Sequence, residues 1–275
     1  MWLRVLVQRL SVPEPPKGNL LSPASSSRRG VPFFYDKSEA EFKADVYERY
    51  DELVTRQTAL HLADELHQAY PFQPLQNYIR DHLSVGDHLK VADVGCSVGR
   101  LIGDIANANT SWDCYGIDLS YQMLRQATDF WVKGASLRPN LIRYGWGTPE
   151  LAGYELTNLS FALAKGELLP FPDASLDVVI NTFLIDRLPT PFAAFAEWAR
   201  VLKPGGRLIT ASPLNFLQPE GWRTAHPPVK ILSHLQQQGW SIENWTDPLP
   251  LEEPMDVRGN SVRWACVAFV ADKPS

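Results

Sequence analysis

Residues 91–101 contain a glycine-bearing turn that is the strongest candidate for a binding site, with the sequence VADVGCSVGRL. The apolar start of this segment predicts a strand, and the residues that follow predict a helix. Gly95 allows the backbone to approach a ligand closely, and the helix N-terminus offers free N–H groups. An NAD fingerprint needs glycine at the first, third and sixth loop positions, where this chain has Gly95, Ser97 and Arg100. A dinucleotide site is therefore not predicted.

A carboxylate follows at the end of the second predicted strand, where the segment YGIDLS contains Asp118. An aspartate about 20 residues beyond such a loop can accept both hydroxyls of a ribose, a bidentate role that an amide fills poorly. The alternative is that Asp118 only caps the next helix, and Ser120 competes for that role. The spacing favours a ligand that contains a ribose.

The glycine turn resembles motif I of class I S-adenosylmethionine-dependent methyltransferases, which is written Asp/Glu-x-Gly-x-Gly-x-Gly. Asp93, Gly95 and Gly99 match this motif. Ser97 replaces the middle glycine and leaves slightly less room for the methionine part of the cofactor. The resemblance implies S-adenosyl-L-methionine as the cofactor and methyl transfer as the activity.

Two later segments carry the same resemblance. Residues 166–177 (GELLPFPDASLD) resemble the segment Ala-Glu-x-Leu-Pro-Phe-x-Asp-x-Ser-Phe-Asp of many small-molecule methyltransferases of the type 11 group. Residues 202–206 (LKPGG) resemble a structural turn before the fifth strand of that family. Family members commonly have Asp or Asn, which meets the adenine amino group, where this chain has Lys165. Either Glu167 takes that role, or backbone and apolar contacts hold the adenine.

The resemblance and the spacing together define a set of expected cofactor-binding residues. They are Asp93, Gly95, Cys96, Ser97, Gly99, Asp118, Leu119, Met123, Glu167 and Asn181. No metal site is predicted, because the histidines and cysteines form no cluster with ligand spacing.

The methyl acceptor is expected beyond the carboxyl end of the fourth strand of the methyltransferase-like region, because open α/β sheets bind ligands at that edge. The candidates are Thr182, Phe183, Asp186 and Arg187, with Tyr50 of the preceding helical segment. Related methyltransferases often have two histidines where Asp186 and Arg187 stand. A charged pair there favours a small polar or zwitterionic acceptor, whereas the alternative is a surface ion pair at a helix cap.

A general base is not assigned, because in-line methyl transfer needs one only if the acceptor carries a proton. Asp186, His226 and His234 are weak candidates. Ser97 and Lys165 keep open a non-catalytic protein that binds S-adenosylmethionine or S-adenosylhomocysteine. Aminopropyl transfer is a further alternative, although only Asp186 would offer a carboxylate to a cationic amine.

The elements that position these residues predict an α/β fold, a Rossmann-like, seven-stranded, mostly parallel sheet with helices on both faces. The last strand is expected to be antiparallel, because no helix separates it from the strand before it. Residues 85–275 form the predicted cofactor-binding domain, with an irregular insertion at about 134–157. Residues 36–84 predict an N-terminal helical extension or lid, and residues 1–35, rich in Pro and Ser, predict a flexible tail.

Composition restricts the expected partners. A net charge of −5 argues against a duplex nucleic-acid partner, and the tetrad Asn-Pro-Pro-Tyr of base-directed amino methyltransferases is absent. Three cysteines do not form a disulfide framework, which is typical of a reducing compartment. No apolar run is long enough for a signal sequence or a membrane span, so a cytoplasmic location is expected. The oligomeric state is not predicted.

Overall fold

The computed structural model describes residues 21–275, which form one sheet in the strand order β1-β2-β5-β4-β3-β6-β7-β9-β8. The strands are β1 (Ser26–Arg28), β2 (Val31–Phe33), β3 (Lys90–Val94), β4 (Asp113–Asp118), β5 (Leu159–Leu163), β6 (Leu176–Thr182), β7 (Leu202–Ser212), β8 (Ser241–Pro254) and β9 (Ser261–Asp272). The helices are α1 (Glu39–Ala44), α2 (Val46–Arg49), α3 (Asp51–Leu62), α4 (Asp64–His67), α5 (Gln73–His82), α6 (Arg100–Ala108), α7 (Tyr121–Ala127), α8 (Pro191–Val201), α9 (Pro219–Ala225) and α10 (Val229–Gln237). Within this described range, no helix is both long and apolar enough to cross a membrane.

Five parallel strands, β5-β4-β3-β6-β7, form the centre of the sheet. Their nearly continuous apolar runs are typical of strands that are covered on both faces. Helices α5, α6 and α7 contribute to the core on one face, and helices α8, α9 and α10 contribute to the core on the other. All five strands end at one edge, so the loops after β3, β4 and β6 meet there.

The prediction of an antiparallel last strand is confirmed. β9 pairs in antiparallel orientation with both β7 and β8. Ser212, the last residue of β7, pairs with Val267, so the earlier residues of β9 and their partners in β8 extend past the carboxyl edge of the sheet. We call this projecting part, residues 249–266, the hairpin wall.

Two additional strands correct the expected count of seven. β1 and β2 form a hairpin whose turn residues, Arg29 and Gly30, have φ of 51° and 87°. Positive φ at both positions suits a two-residue hairpin turn. Val31 is fully buried, and Phe33 pairs in parallel with Leu163 of β5. The sheet therefore continues beyond the edge that the sequence predicted.

The expectation of a flexible tail up to residue 35 is accordingly wrong for residues 26–33. The Pro- and Ser-rich composition concealed the short apolar run of β2, which gains stability only by pairing with a strand far along the chain. The sequence predicted no signal sequence at the N-terminus. That prediction concerns residues 1–20, which lie outside the described residues.

The helical prediction for residues 36–84 is matched by α1 to α5. Ser38 begins α1 with a capping box, since its Oγ accepts from Glu41 N at 3.2 Å and the Glu41 carboxylate accepts from Ser38 N at 2.9 Å. Most of the predicted insertion, about 134–157, lacks regular structure, with one 3-10 helix at Ile142–Tyr144.

Candidate active site

The loop between β3 and α6 contains three alternate left-handed positions. Gly95, Ser97 and Gly99 have φ of 82°, 53° and 77°. Gly95 N and Cys96 N both donate to Ile117 O, at 2.7 and 3.0 Å, which fastens the loop to the end of β4. Glycine adopts such a conformation freely, whereas serine does so at a local cost in backbone strain. Ser97 is therefore compatible with the turn, although it is not the residue that the turn favours.

Asp118 joins two loops at the end of β4. Its Oδ2 accepts from Ser97 N and its Oδ1 accepts from Ser120 N, both at 2.8 Å. Burial raises the pKa of Asp118, although these two backbone donors oppose the rise. Each carboxylate oxygen retains a further acceptor site, so two ligand hydroxyls can still bind. Ser120 caps α7 by accepting from Met123 N at 3.4 Å, which leaves Asp118 available for the ligand.

Asp93 is a buried acid with an unsatisfied oxygen. It is 1 % exposed, and its Oδ1 has no hydrogen-bond partner among residues 21–275. Burial, and secondarily the negative charge of Asp118, raise the pKa of Asp93 to about 8. A cation bound beside Asp93 would favour the charged form and satisfy this oxygen. The amino group of S-adenosylmethionine is such a cation, so this residue fits the cofactor that the sequence implies.

Asn181 supplies a second unsatisfied oxygen at the same edge. It is the last residue but one of β6, in register with Val94 of β3, and is fully buried. Its Nδ2 donates to Thr210 Oγ1 at 2.8 Å, whereas its Oδ1 has no partner in the described part of the chain. The other expected cofactor residues of this region are buried or partly buried: Cys96, Leu119 and Met123.

Lys165, at the end of β5, is paired with an acid from the N-terminal extension. Its Nζ lies 2.9 Å from Glu41 Oε1 and 4.1 Å from the centroid of the Tyr35 ring. Hydrogen bonds from Tyr35, Ser38 and Lys165 hold the pKa of Glu41 well below its usual range. The extension thus brings a carboxylate to the place where the resemblance implied an acid. Glu167, the other candidate for that role, is partly buried.

Residues 35–50, which we call the strap, contact the loop between β4 and α7. Lys37 pairs with Glu48 at 3.2 Å, and the two side chains are only 8 % and 5 % exposed. Glu48 Oε1 also accepts from Tyr121 N, the first residue of α7, at 2.6 Å. Negative charge is stabilising at a helix N-terminus, so the strap is held beside the cofactor site by buried polar contacts.

Arg100, the first residue of α6, connects the glycine loop to the extension. Its guanidinium donates to both oxygens of Asp64, at 2.6 and 2.9 Å, and lies 4.5 Å from the centroid of the Tyr70 ring. His61 Nδ1 lies 2.9 Å from Tyr70 Oη. Burial, followed by the charge of Arg100, lowers the pKa of His61 to about 4, so the ring is neutral at pH 7. Sequence reasoning missed this network, because no local pattern shows that residues 61–70 meet residue 100.

Asp186 does not form an open charged pair with Arg187. Asp186 is fully buried, and its Oδ2 accepts from Asn215 N at 3.1 Å in the loop after β7. Its Oδ1 lies 3.9 Å from Arg187 Nε, while the Arg187 side chain is 42 % exposed. Burial raises the pKa of Asp186. The structure thus ties Asp186 to the loop after β7, and Thr182 and Phe183 are the partly exposed residues at the end of β6.

Tyr50 lies on the surface of the extension. It is 52 % exposed, and the Arg49 guanidinium lies 5.1 Å from its ring centroid. Tyr47, in the same strap, is within the electrostatic influence of Arg187 and Asp118. Desolvation raises the pKa of Tyr47, Arg187 opposes this rise, and Asp118 adds to it.

The two candidate histidines pack on the side of α8 to α10. His226 is exposed, and its ring lies 5.2 Å from the Trp222 ring. His234 stacks on Phe192 at 4.2 Å, and burial lowers its pKa. Neither ring makes a hydrogen bond or ring contact with the glycine loop in the described structure. These two histidines therefore do not supply a base at the glycine loop.

The cysteines and the acids form no metal site in the described residues. Cys96, Cys114 and Cys266 are free and buried. Between residues 21 and 275, no group of three or more His, Cys, Asp or Glu side chains is arranged to hold a metal ion.

The central part of the chain is similar to known methyltransferases. Residues 92–210 match the family described as "Methyltransferase domain". Aklanonic acid methyltransferase DauC of Streptomyces sp. (strain C5) is 30 % identical over 161 residues, 56 % of this chain and 63 % of that protein. Demethylmenaquinone methyltransferase of Tropheryma whipplei (strain Twist) is 29 % identical over 133 residues, 47 % of this chain and 45 % of that protein.

A solved structure extends the comparison. Geranyl diphosphate C-methyltransferase from Streptomyces coelicolor A3(2), crystallised with S-adenosyl-L-homocysteine, has a TM-score of 0.52 at 15 % identity, over 75 % of this chain and 77 % of its own. This likeness concerns the fold alone. The matched regions span less than two thirds of both curated relatives. The family match contains the glycine loop, Asp118 and the end of β6.

Proposed function

This chain carries a methyltransferase domain of the class I, S-adenosylmethionine-dependent type, and we propose on that premise that it transfers a methyl group to a small-molecule acceptor. The observation that carries the proposal is Asp93. It is a buried acid with a raised pKa and one free oxygen, placed directly before the glycine loop. A cationic ligand relieves both conditions at once.

Different residues at the carboxyl edge would bind different parts of the cofactor. S-adenosyl-L-methionine supplies a methyl group activated by a sulfonium. The turn at Gly95 would admit the ligand close to the backbone, and Asp93 would accept from its amino group. Asp118 would accept from the ribose hydroxyls while it holds Ser97 N and Ser120 N. The strap would then close over the ribose, as the lid role proposed for the extension requires.

The residues on the acceptor side would position the acceptor and would not accept a proton from it. Holding the nucleophile in line with the methyl group can itself supply much of the acceleration. Asp186 is buried against the loop after β7, so we assign it a positioning role instead of general-base catalysis. The acceptor would then be a molecule that is nucleophilic without help from a protein base.

The non-catalytic alternative rested on Ser97 and Lys165. Ser97 adopts the left-handed conformation of the loop, and Lys165 is neutralised by Glu41. Neither residue closes the site, so we favour the enzyme. The proposal includes a cytoplasmic location and the absence of a nucleic-acid partner. The net charge of −5 supports the absence of a nucleic-acid partner.

The proposal is tested in two stages. Calorimetric titration should show micromolar binding of S-adenosylmethionine and S-adenosylhomocysteine. Incubation with methyl-labelled cofactor and a panel of phenols, thiols, amines and carboxylic acids should then yield a labelled product, detected by mass spectrometry. A folded protein that binds neither ligand refutes the proposal, and binding without transfer to any panel member favours the non-catalytic alternative.

A further inference from the structure

The strand order divides the carboxyl edge into a cofactor half and an acceptor half. The glycine loop follows β3, and Asp118 follows β4 on one side of it. A ligand whose ribose meets Asp118 therefore directs its other end towards β6 on the opposite side. The acceptor must approach from the ends of β6 and β7, where the hairpin wall also projects.

Three aromatic rings from separate parts of the chain meet at that place. Phe183, directly after β6, lies 5.6 Å from Phe72, with the two ring planes 9° apart. Phe183 also lies 5.6 Å from Trp264 of β9, in an edge-to-face arrangement. Phe183 and Trp264 are partly exposed, whereas Phe72 is buried. We call these three rings the aromatic wall.

Phe183 is held in a strained backbone conformation. Its φ is 53°, a left-handed conformation that is an outlier for a bulky residue. Phe183 N donates to Ala211 O at 2.8 Å, which ties the strained residue to β7. Leu184 packs directly on the α-carbon face of Gly95, so the glycine loop and the aromatic wall are neighbours. Such strain persists only where the surroundings enforce it, and it clusters at ligand sites.

The polar groups of this region are only partly engaged with protein partners. Asp186 Oδ2 accepts from Asn215 N, whereas Asp186 Oδ1 and Asn181 Oδ1 are buried without a hydrogen-bond partner among residues 21–275. Trp264 Nε1 donates to Glu253 Oε2 at 3.2 Å, and Glu253 pairs with Arg56 of α3 at 3.6 Å. The partly exposed rings of Phe183 and Trp264 add ring faces and edges to this surface, with a polar rim on the hairpin wall.

An open groove lies along the outer part of the hairpin wall. Its volume is about 270 Å³, and its lining includes His67, Pro71, Glu252 and Pro254. Pro71 directly precedes Phe72, while Glu252 and Pro254 flank the Glu253 that anchors Trp264. The three rings themselves do not line this groove.

We propose that the aromatic wall is the acceptor subsite and that it binds a flat, aromatic part of the acceptor by stacking and edge contacts. This inference rests on the proposed methyl transfer and replaces the small polar acceptor that the charged pair Asp186 and Arg187 favoured. Aromatic side chains prefer planar partners, because offset stacking and edge-to-face contacts add to simple area burial.

The test compares two probes that share a carbon skeleton and a hydroxyl group. Protein saturated with S-adenosylhomocysteine is titrated with 2-naphthol and with decahydro-2-naphthol. The saturated alcohol has at least as much apolar surface but cannot stack. We expect 2-naphthol to bind about 2- to 12-fold more tightly, the range that corresponds to the worth of an aromatic pair.

Variants connect this preference to the wall. Phe183→Leu keeps an apolar side chain without a ring, and Trp264→Leu is a second variant should the first fail to fold. Each should reduce the naphthol preference to about 1-fold while S-adenosylhomocysteine binding is retained. Trp222→Phe, an exposed aromatic on α9, is the matched control and should leave the preference unchanged.

The outcomes separate the two proposals. Equal binding of the two alcohols, no binding of either to the loaded protein, or an unchanged preference in both wall variants overturns the aromatic subsite. Failure of the wild-type protein to bind S-adenosylhomocysteine overturns the proposed function instead.

Discussion

Replacing Asp118 by asparagine tests the cofactor site most directly. Each carboxylate oxygen accepts one backbone N–H at 2.8 Å, from Ser97 and from Ser120. Asparagine offers a single oxygen, so one of these donors faces an NH₂ group, and one ribose hydroxyl also loses its acceptor. A hydrogen bond to a charged group contributes about 1.5–3 kcal/mol. We therefore expect Asp118→Asn to weaken S-adenosylhomocysteine binding about 10- to 150-fold.

The same substitution should lower the free energy of unfolding by a smaller amount, about 1.5 kcal/mol, because the neutral amide avoids part of the desolvation cost that raises the pKa of Asp118. Isothermal calorimetry measures the affinity, and urea denaturation measures the stability. Asp113→Asn, at the opposite end of β4, is the matched control and should leave affinity unchanged. A loss of stability without a loss of affinity would refute the ribose assignment and leave Asp118 as a loop brace.

Four further predictions concern Asp93, Gly116 and the pair of Lys165 and Glu41. Since the pKa of Asp93 is about 8, the native state keeps a proton that the unfolded chain releases near pH 4. The free energy of unfolding should therefore fall as the pH rises between these two values. Asp93→Asn should remove that decline, which urea titrations at several pH values measure. S-adenosylhomocysteine binding should release a proton near pH 7, detectable as a buffer-dependent enthalpy; a buffer-independent enthalpy contradicts the contact with Asp93. Gly116→Ala places a methyl group inside the van der Waals radius of the buried Phe161 ring and should cost about 1–3 kcal/mol in urea denaturation, whereas a loss below about 0.5 kcal/mol contradicts rigid packing there. Lys165 and Glu41 are 32 % and 35 % exposed, so a double-mutant cycle with Lys165→Ala and Glu41→Gln should give only the weak coupling of a solvent-exposed ion pair, and a coupling as strong as that of a buried pair contradicts this exposure.

Local motifs predicted the centre of the molecule well. The loop from Asp93 to Gly99 and the acid at Asp118 encode their own geometry, because left-handed turns and strand ends depend on nearby residues. The apolar runs of β3 and β6 predicted the parallel centre of the sheet. The missing helix before β9 predicted its antiparallel end.

Contacts between distant segments could not be predicted in the same way. Nothing near Lys165 indicates that Glu41 will reach it, and nothing near Arg100 indicates Asp64. Asp186 reads as an exposed acid in the sequence, yet the loop after β7 covers it completely. Each of these positions depends on how the extension or a later loop packs on the sheet, which is a property of tertiary structure.

The pairing of β2 with β5 has a consequence for the way the protein is made. Leu163, the partner of Phe33, is synthesised 130 residues after it. The apolar side of β2 therefore has no native partner until β3, β4 and β5 have been translated. Long-range pairing of this kind is slow to form and leaves a strand edge open to other chains in the meantime. β2 is thus incorporated into the sheet only after this long interval, during which the nascent chain needs protection from aggregation.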